Sequence, residues 1–326
     1  MVIFVSRIAL WWIRWNDTLG GYESRMTLDG RSPGTYYDEV HLFRERGFDR
    51  VVFLGGEGRG INYTGNGFED ARYLALWIRT HITSIDYYIT IPFSYGSGGL
   101  RDNPANGFKN SYWREWIDGV LGVDDDNRLG FYWSYESCLQ TTSYDEAHVT
   151  EEFIQEMSDY IHSHGLELIW IPTIGNRTME QVKTFCAIPT LAKYFDNVFV
   201  QPHYYQTTKL SDGSDYTFQE LVRRVEWMKD EGLSIEMEAD NSIIGEKSNC
   251  AYCKSVQGWW QNDSFHEKVG CDVEPTPETE EKCIDRACDY YKAIMKVSTS
   301  AFSTRAYYFG TDFKVVDKVK SKCPGW

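Results

Sequence analysis

Eight short apolar stretches, each followed by a segment with helical spacing, set the strongest limit on how this chain folds. They are 3–12, Arg50–Leu54, Ile85–Ile91, Arg128–Glu136, Leu166–Ile171, Asn197–His203, Leu233–Asp240 and Thr304–Gly310. Between them apolar residues recur every three to four positions over Tyr36–Arg46, Phe68–His81, Tyr112–Leu121, Thr150–His164, Gln181–Phe195, Phe218–Glu231 and Glu281–Ser298. Phe313–Lys322 supplies a weaker closing helix, and Pro189 must kink or split the fifth one. Strict alternation of this kind implies a parallel sheet with helical crossovers. Eight units imply a closed barrel, and 326 residues are enough for one, since about 250 are typical. The expected architecture is therefore α/β: a single-domain (β/α)8 TIM barrel over 1–326, with a Cys-rich insertion at 241–280 after strand seven. An open doubly wound sheet is the runner-up, but no G-x-G-x-x-G or Walker pattern follows any strand.

Composition narrows the function. A net charge of -15 argues against a nucleic-acid partner. No run of 18 apolar residues exists, so no membrane span is expected. The apolar start is interrupted by Arg7 and lacks a small-residue cleavage site, which favours a first strand over a signal peptide. Of eight cysteines, Cys250, Cys253, Cys271, Cys283 and Cys288 crowd together, while Cys138, Cys186 and Cys323 lie elsewhere. Cys250-x-x-Cys253 is half of a zinc knuckle with no second half, so disulfides within the cluster are expected, and no metal. Disulfides imply an oxidising compartment or a hyperthermophile cytosol. With sequons at Asn16, Asn62, Asn176 and Asn262, the expected location is extracellular or cell-surface.

The acids suggest the chemistry. In Leu233-Ser-Ile-Glu236-Met-Glu238-Ala-Asp240 three carboxylates alternate, and a strand would place them on one face. Such acids are costly to bury unless something uses them. A barrel builds its active site at the C-terminal ends of its strands. Glu136 ends the fourth strand and Glu238 lies near the end of the seventh, which is how a glycoside hydrolase would be built. Glu136 is the candidate acid/base, with apolar Trp133 and Tyr135 raising its pKa. Glu238 is the candidate nucleophile, Glu236 a deeper structural acid or sugar contact, and Asp240 a rival for the Glu238 role at the rim. Gln201 and His203 share a parity that points both inward. Trp12, Trp15, Trp133, Trp170, Tyr204 and Tyr308 are candidate sugar-stacking residues, and Trp259–Trp260 in the insertion is a separate candidate. Arg59 and Arg101 follow strands two and three, where either would suit an acidic sugar or serve as a surface charge. The expected partner is a carbohydrate and no cofactor is required. Two rivals stand: a non-catalytic carbohydrate-binding barrel, and a metal-dependent hydrolase using Glu236, Glu238, Asp240 and His203. The second ranks lower, because strand one lacks H-x-H.

The layout resembles that of retaining barrel glycosidases, which carry the acid/base after strand four and the nucleophile after strand seven. It departs in having Tyr135, not Asn, before Glu136. A further resemblance covers roughly the whole chain. Gly130-Phe-Tyr-Trp133 with Glu136, Tyr160-Ile-His-Ser-His-Gly-Leu166, Trp170-Ile-Pro172, Gln201-Pro202 with Tyr204, and Glu236-x-Glu238-x-Asp240 are together similar to the domain-of-unknown-function family 4855. That family usually shows Asn where this chain has His203. The resemblance implies the barrel and a secreted setting among carbohydrate-binding modules; retention of configuration is implied by the glycosidase layout alone.

Overall fold

The computed structural model describes residues 5–96, 99–253, 255–261, 264–270 and 273–326, and for 255–270 only the path of the backbone. Eight parallel strands close into a barrel: β1 (Ser6–Asn16), β2 (Arg50–Leu54), β3 (Asp86–Ile91), β4 (Arg128–Trp133), β5 (Glu167–Trp170), β6 (Asn197–Val200), β7 (Ser234–Glu238) and β8 (Thr304–Tyr308). Each pairs with the next in sequence, and β8 returns to β1 with Ser6 opposite Thr304 and Ala9 opposite Tyr307. The crossovers are α1 (Tyr36–Glu45), α2 (Gly67–His81), α3 (Tyr112–Leu121), α4 (Glu151–Ser163), α5 (Met179–Phe185), α6 (Phe218–Asp230) and α7 (Pro277–Val297), with α8 (Phe313–Lys322) closing the chain. The (β/α)8 barrel expected from the alternation is the observed fold. Among the described residues no helix is long and apolar enough to cross a membrane.

Strand periodicity divides the core in two. Side chains of one parity, such as Leu10, Val52, Tyr88, Tyr132, Ile169 and Phe199, fill the barrel interior. Those of the other parity pack between strands and helices, where Trp113, Trp116, Trp133 and Trp170 are fully buried. Gly130 is required where β4 meets β5: a Cβ there would lie 1.9 Å from the Glu167 carbonyl oxygen.

Three elements depart from expectation, and the helix containing Pro189 splits as expected. β1 runs on to Asn16 because Gly21–Ser24 folds back on it antiparallel, with Trp15 opposite Tyr22; the expected start at residue 3 lies outside the described residues. The helix containing Pro189 breaks after Phe185 and resumes at Ile188–Leu191, placing the proline in a first turn where its missing N–H is not needed. α7 starts four residues early, behind a Thr276–Thr279 capping box. The insertion is no plain loop, since Ser255–Gln261 and Ser264–Gly270 pair as an antiparallel hairpin.

Among the described residues two disulfides are present, Cys138–Cys186 and Cys250–Cys283. The first ties the loop after β4 to the end of α5, and the second ties the insertion to α7. Cys253, Cys288 and Cys323 are free and buried, while Cys271, Asn262 and the side chains of Trp259 and Trp260 lie outside the described residues.

Candidate active site

The inward parity of the barrel carries on beyond the strands into a cavity of about 800 Å³ at their C-terminal ends, lined by Trp12, Leu54, Glu136, Gln201, His203, Glu236 and Tyr308 among others. β4 formally ends at Trp133, but its neighbours keep the next residues in register. The Glu136 carbonyl accepts from Thr173 N–H at 2.7 Å, and isolated bridges join Ser137 to Thr173 and Thr173 to Gln201. Glu136 and Gln201 are thus held at one level of the mouth by backbone pairing.

Glu136 opens onto the cavity and is packed on its other sides. Tyr132 Oη donates to Glu136 Oε1 at 2.5 Å, and Gln201 Nε2 donates to Oε2 at 2.9 Å. Its carboxyl is nevertheless pushed up to about 7. Burial is the main cause, Glu57 adds to it, and the bonds from Tyr132 and Gln201 oppose it.

A polar chain runs from Glu136 to Glu238. Gln201 Oε1 lies 3.0 Å from His203 Nε2, which lies 3.2 Å from Thr173 Oγ1 and 3.8 Å from Glu238 Oε1. Gln206 Nε2 donates to Glu238 Oε1 at 3.1 Å, and Tyr290 of α7 donates to Oε2. Glu238 is fully buried behind Gln206 and His203, both of which line the cavity. Glu236 is 2 % exposed on the cavity floor, and its Oε1 has no hydrogen-bond partner. Burial, then the charges of Glu238 and Glu136, hold its carboxyl well above the usual carboxylate range.

Of the residues expected in the site, Glu136, Trp12, Trp15, Gln201, His203, Glu236 and Tyr308 line one cavity, and Glu238 adjoins it. Four lie elsewhere. Trp133 is on the opposite parity to Glu136, so it sits in the outer core against Trp113 and Phe153; Tyr132, not Trp133 or Tyr135, touches the Glu136 carboxyl. Trp170 shares that outer layer and stacks on Phe195. Tyr204 is buried beneath the Arg286 guanidinium, 3.6 Å from its ring centroid, and bonds Asp289. Asp240 follows the end of β7 and turns away, capping the 3-10 helix Asn241–Ile244 and accepting from Tyr205 Oη at 2.8 Å. Arg59 lines the cavity, whereas Arg101 is 3 % exposed and spends its guanidinium on four carbonyls and Tyr112 Oη.

Sequence reasoning missed Glu57, Arg25, Gln206 and Asn249, which all line the cavity. Glu57 had a signal: it follows β2 within Gly55-Gly-Glu-Gly58, and Gly56, Glu57 and Gly58 all have positive φ. Burial raises its carboxyl, with Arg59 opposing.

The family described as "Domain of unknown function (DUF4855)" matches residues 127–269, a span that runs from β4 through β7 into the insertion. An uncharacterized protein of Methanocaldococcus jannaschii is 28% identical over 375 residues, covering 98% of this chain and 92% of that protein. Among solved structures, catalytic domain 2 of the Group II chitinase of Ostrinia furnacalis is similar with a TM-score of 0.48 at 9% identity, covering 99% and 97% of the two chains. The chitinase ChiB of Flavobacterium johnsoniae gives 0.47 at 9% identity, covering 98% and 94%. Likeness at this level is no guide to chemistry.

Proposed function

We propose that the chain is a glycoside hydrolase acting on a poly- or oligosaccharide, with Glu136 as acid/base and Glu238 as the second carboxylate. The observation that carries this reading is Glu136. A carboxyl raised to about 7, facing a cavity walled by Trp12, Trp15 and Tyr308, holds a proton near neutrality where a glycosidic oxygen would sit. Gln206 and Tyr290 donate to Glu238 and hold that carboxylate in place. In the retaining scheme the second carboxylate attacks the anomeric carbon as Glu136 protonates the leaving oxygen. For Glu238 this requires Gln206 and His203 to move aside. Glu136 then takes a proton from the water that releases the sugar. Trp12 and Tyr308 offer faces for sugar rings, and Arg25 stacks over Trp12 at 5.4 Å. The disulfides fit an extracellular or cell-surface setting.

One observation favours a second choice of partner acid. Glu236 lines the cavity with an unpartnered oxygen, while Glu238 does not line it. Its raised carboxyl makes Glu236 a better donor to a sugar hydroxyl than a nucleophile. Reducing-sugar release over a broad glycan panel tests these roles with wild type, Glu136→Gln, Glu238→Gln and Glu236→Gln. Release lost in the first two variants supports the assignment. Loss with Glu236→Gln but not Glu238→Gln would exchange the second acid. Glycan binding by a wild type that releases no sugar would instead indicate a non-catalytic carbohydrate-binding barrel.

A further inference from the structure

Among the described residues, Cys250, Cys253 and Cys283 alone bring three metal-ligating atoms within 4.8 Å of one another, and all three are fully buried. We propose that, once the Cys250–Cys283 bridge is reduced, these three thiolates bind a soft divalent cation, zinc being the probe of choice.

Zinc–thiolate bonds of about 2.3 Å in a tetrahedral site require sulfur atoms about 3.8 Å apart. Cys253 Sγ lies 3.9 Å from Cys283 Sγ, too far to bond and close to that edge. Cys250 and Cys253 have knuckle spacing, and their turn is closed by Cys253 N–H donating to the Cys250 carbonyl at 2.9 Å. One ligand of the missing half of the knuckle is supplied from α7, whose backbone presents Cys283 to the turn. Sequence spacing argues against zinc because no second pair follows, but the fold brings in a third thiol from 30 residues away. Cys271 lies outside the described residues and is not counted, so the fourth position is unassigned.

An external dithiol supplies two electrons and two protons to open the bridge, becoming a disulfide itself. Binding the cation to three thiols then releases three protons to solvent. Bridge and ion are alternative ways of fastening one strap. Asn249, next to Cys250, lines the cavity and donates its N–H to Asp240, and Ala251 N–H donates to the Tyr205 carbonyl at 3.0 Å.

The test is zinc content by elemental analysis of the full chain, purified under reductant without oxygen and desalted against a competing chromophoric chelator. Cys253→Ser is compared with Cys288→Ser, which removes a buried free thiol outside the cluster. Wild type and Cys288→Ser are expected to retain about one ion per chain, with Cys253→Ser weakened at least tenfold. Cobalt in place of zinc should give thiolate charge-transfer absorption that Cys253→Ser lacks. Cys253 takes no part in a disulfide, so air-oxidised Cys253→Ser should melt as wild type does, which separates lost binding from lost folding. A reduced wild type without zinc, a Cys253→Ser chain that keeps it, or equal loss from Cys288→Ser would each overturn the proposal.

Discussion

Replacing Glu136 by Gln should make the protein less sensitive to pH, and the size of the change follows from its surroundings. The folded carboxyl is raised from 4.5 to about 7. Below the lower value both folded and unfolded chains hold the proton, and pH has no effect through this group. Between the two, the folded chain keeps a proton that the unfolded chain has released, so stability falls as pH rises; above about 7 the loss is complete. The full difference corresponds to about 3 kcal/mol, an upper figure because cavity water screens a group that opens onto it. The amide of Glu136→Gln cannot ionise, and this part of the pH dependence should vanish. That amide would also be set against Gln201 Nε2, but the cost is independent of pH, so the slope is the readout and not the absolute value. Urea midpoints at pH 5, 6, 7 and 8 measure it, taken with the unfolding slope for each protein. Wild type should lose up to about 3 kcal/mol more than Glu136→Gln across this range. Parallel pH dependence in the two proteins would refute a buried, proton-holding Glu136 and with it the proposed general acid.

Tyr132→Phe removes a bond that favours ionised Glu136, so the alkaline limb of the kcat/KM profile should move up by about one pH unit. Gly130→Ala forces a methyl into the Glu167 backbone and should cost about 3 kcal/mol or more, read by thermal unfolding. Arg101→Met strands carbonyls of Gly58, Ile61, Asn62 and Ser94, and a loss of about 3–5 kcal/mol should show in the urea midpoint. Opening Cys138–Cys186 by Cys186→Ser should lower stability by up to about 4 kcal/mol for a separation of 48 residues, measured against wild type without reductant.

The barrel was legible because parallel strands buried on both faces must be apolar runs, and the crossovers must show helical spacing. The same period of two places Glu136, Gln201 and Glu236 in the cavity wall and turns Trp133, whose odd number on Glu136's strand faces the helices, away from it. Asp240 keeps the parity of Glu236 and Glu238 in the sequence, but β7 ends at Glu238 and the period ends with it. Glu57 depends on three consecutive positive φ angles, which no periodicity encodes. Tyr290 reaches Glu238 from 52 residues along the chain, so only the assembled fold brings them together. Cys283 joins the Cys250 turn in the same way.

The left-handed backbone at His203, φ 53°, directs its imidazole into the cavity, and among the described residues it is the one histidine in the cavity wall. Its Nε2 stands 3.0 Å from Gln201, which grips Glu136 by its other end, and 3.8 Å from Glu238. Ionisation on either of two barrel strands must therefore alter the electronic environment of one ring. The fold thereby carries its own spectroscopic probe: the nitrogen-15 signals of that imidazole can follow the protonation of Glu136, through Gln201, in the resting protein.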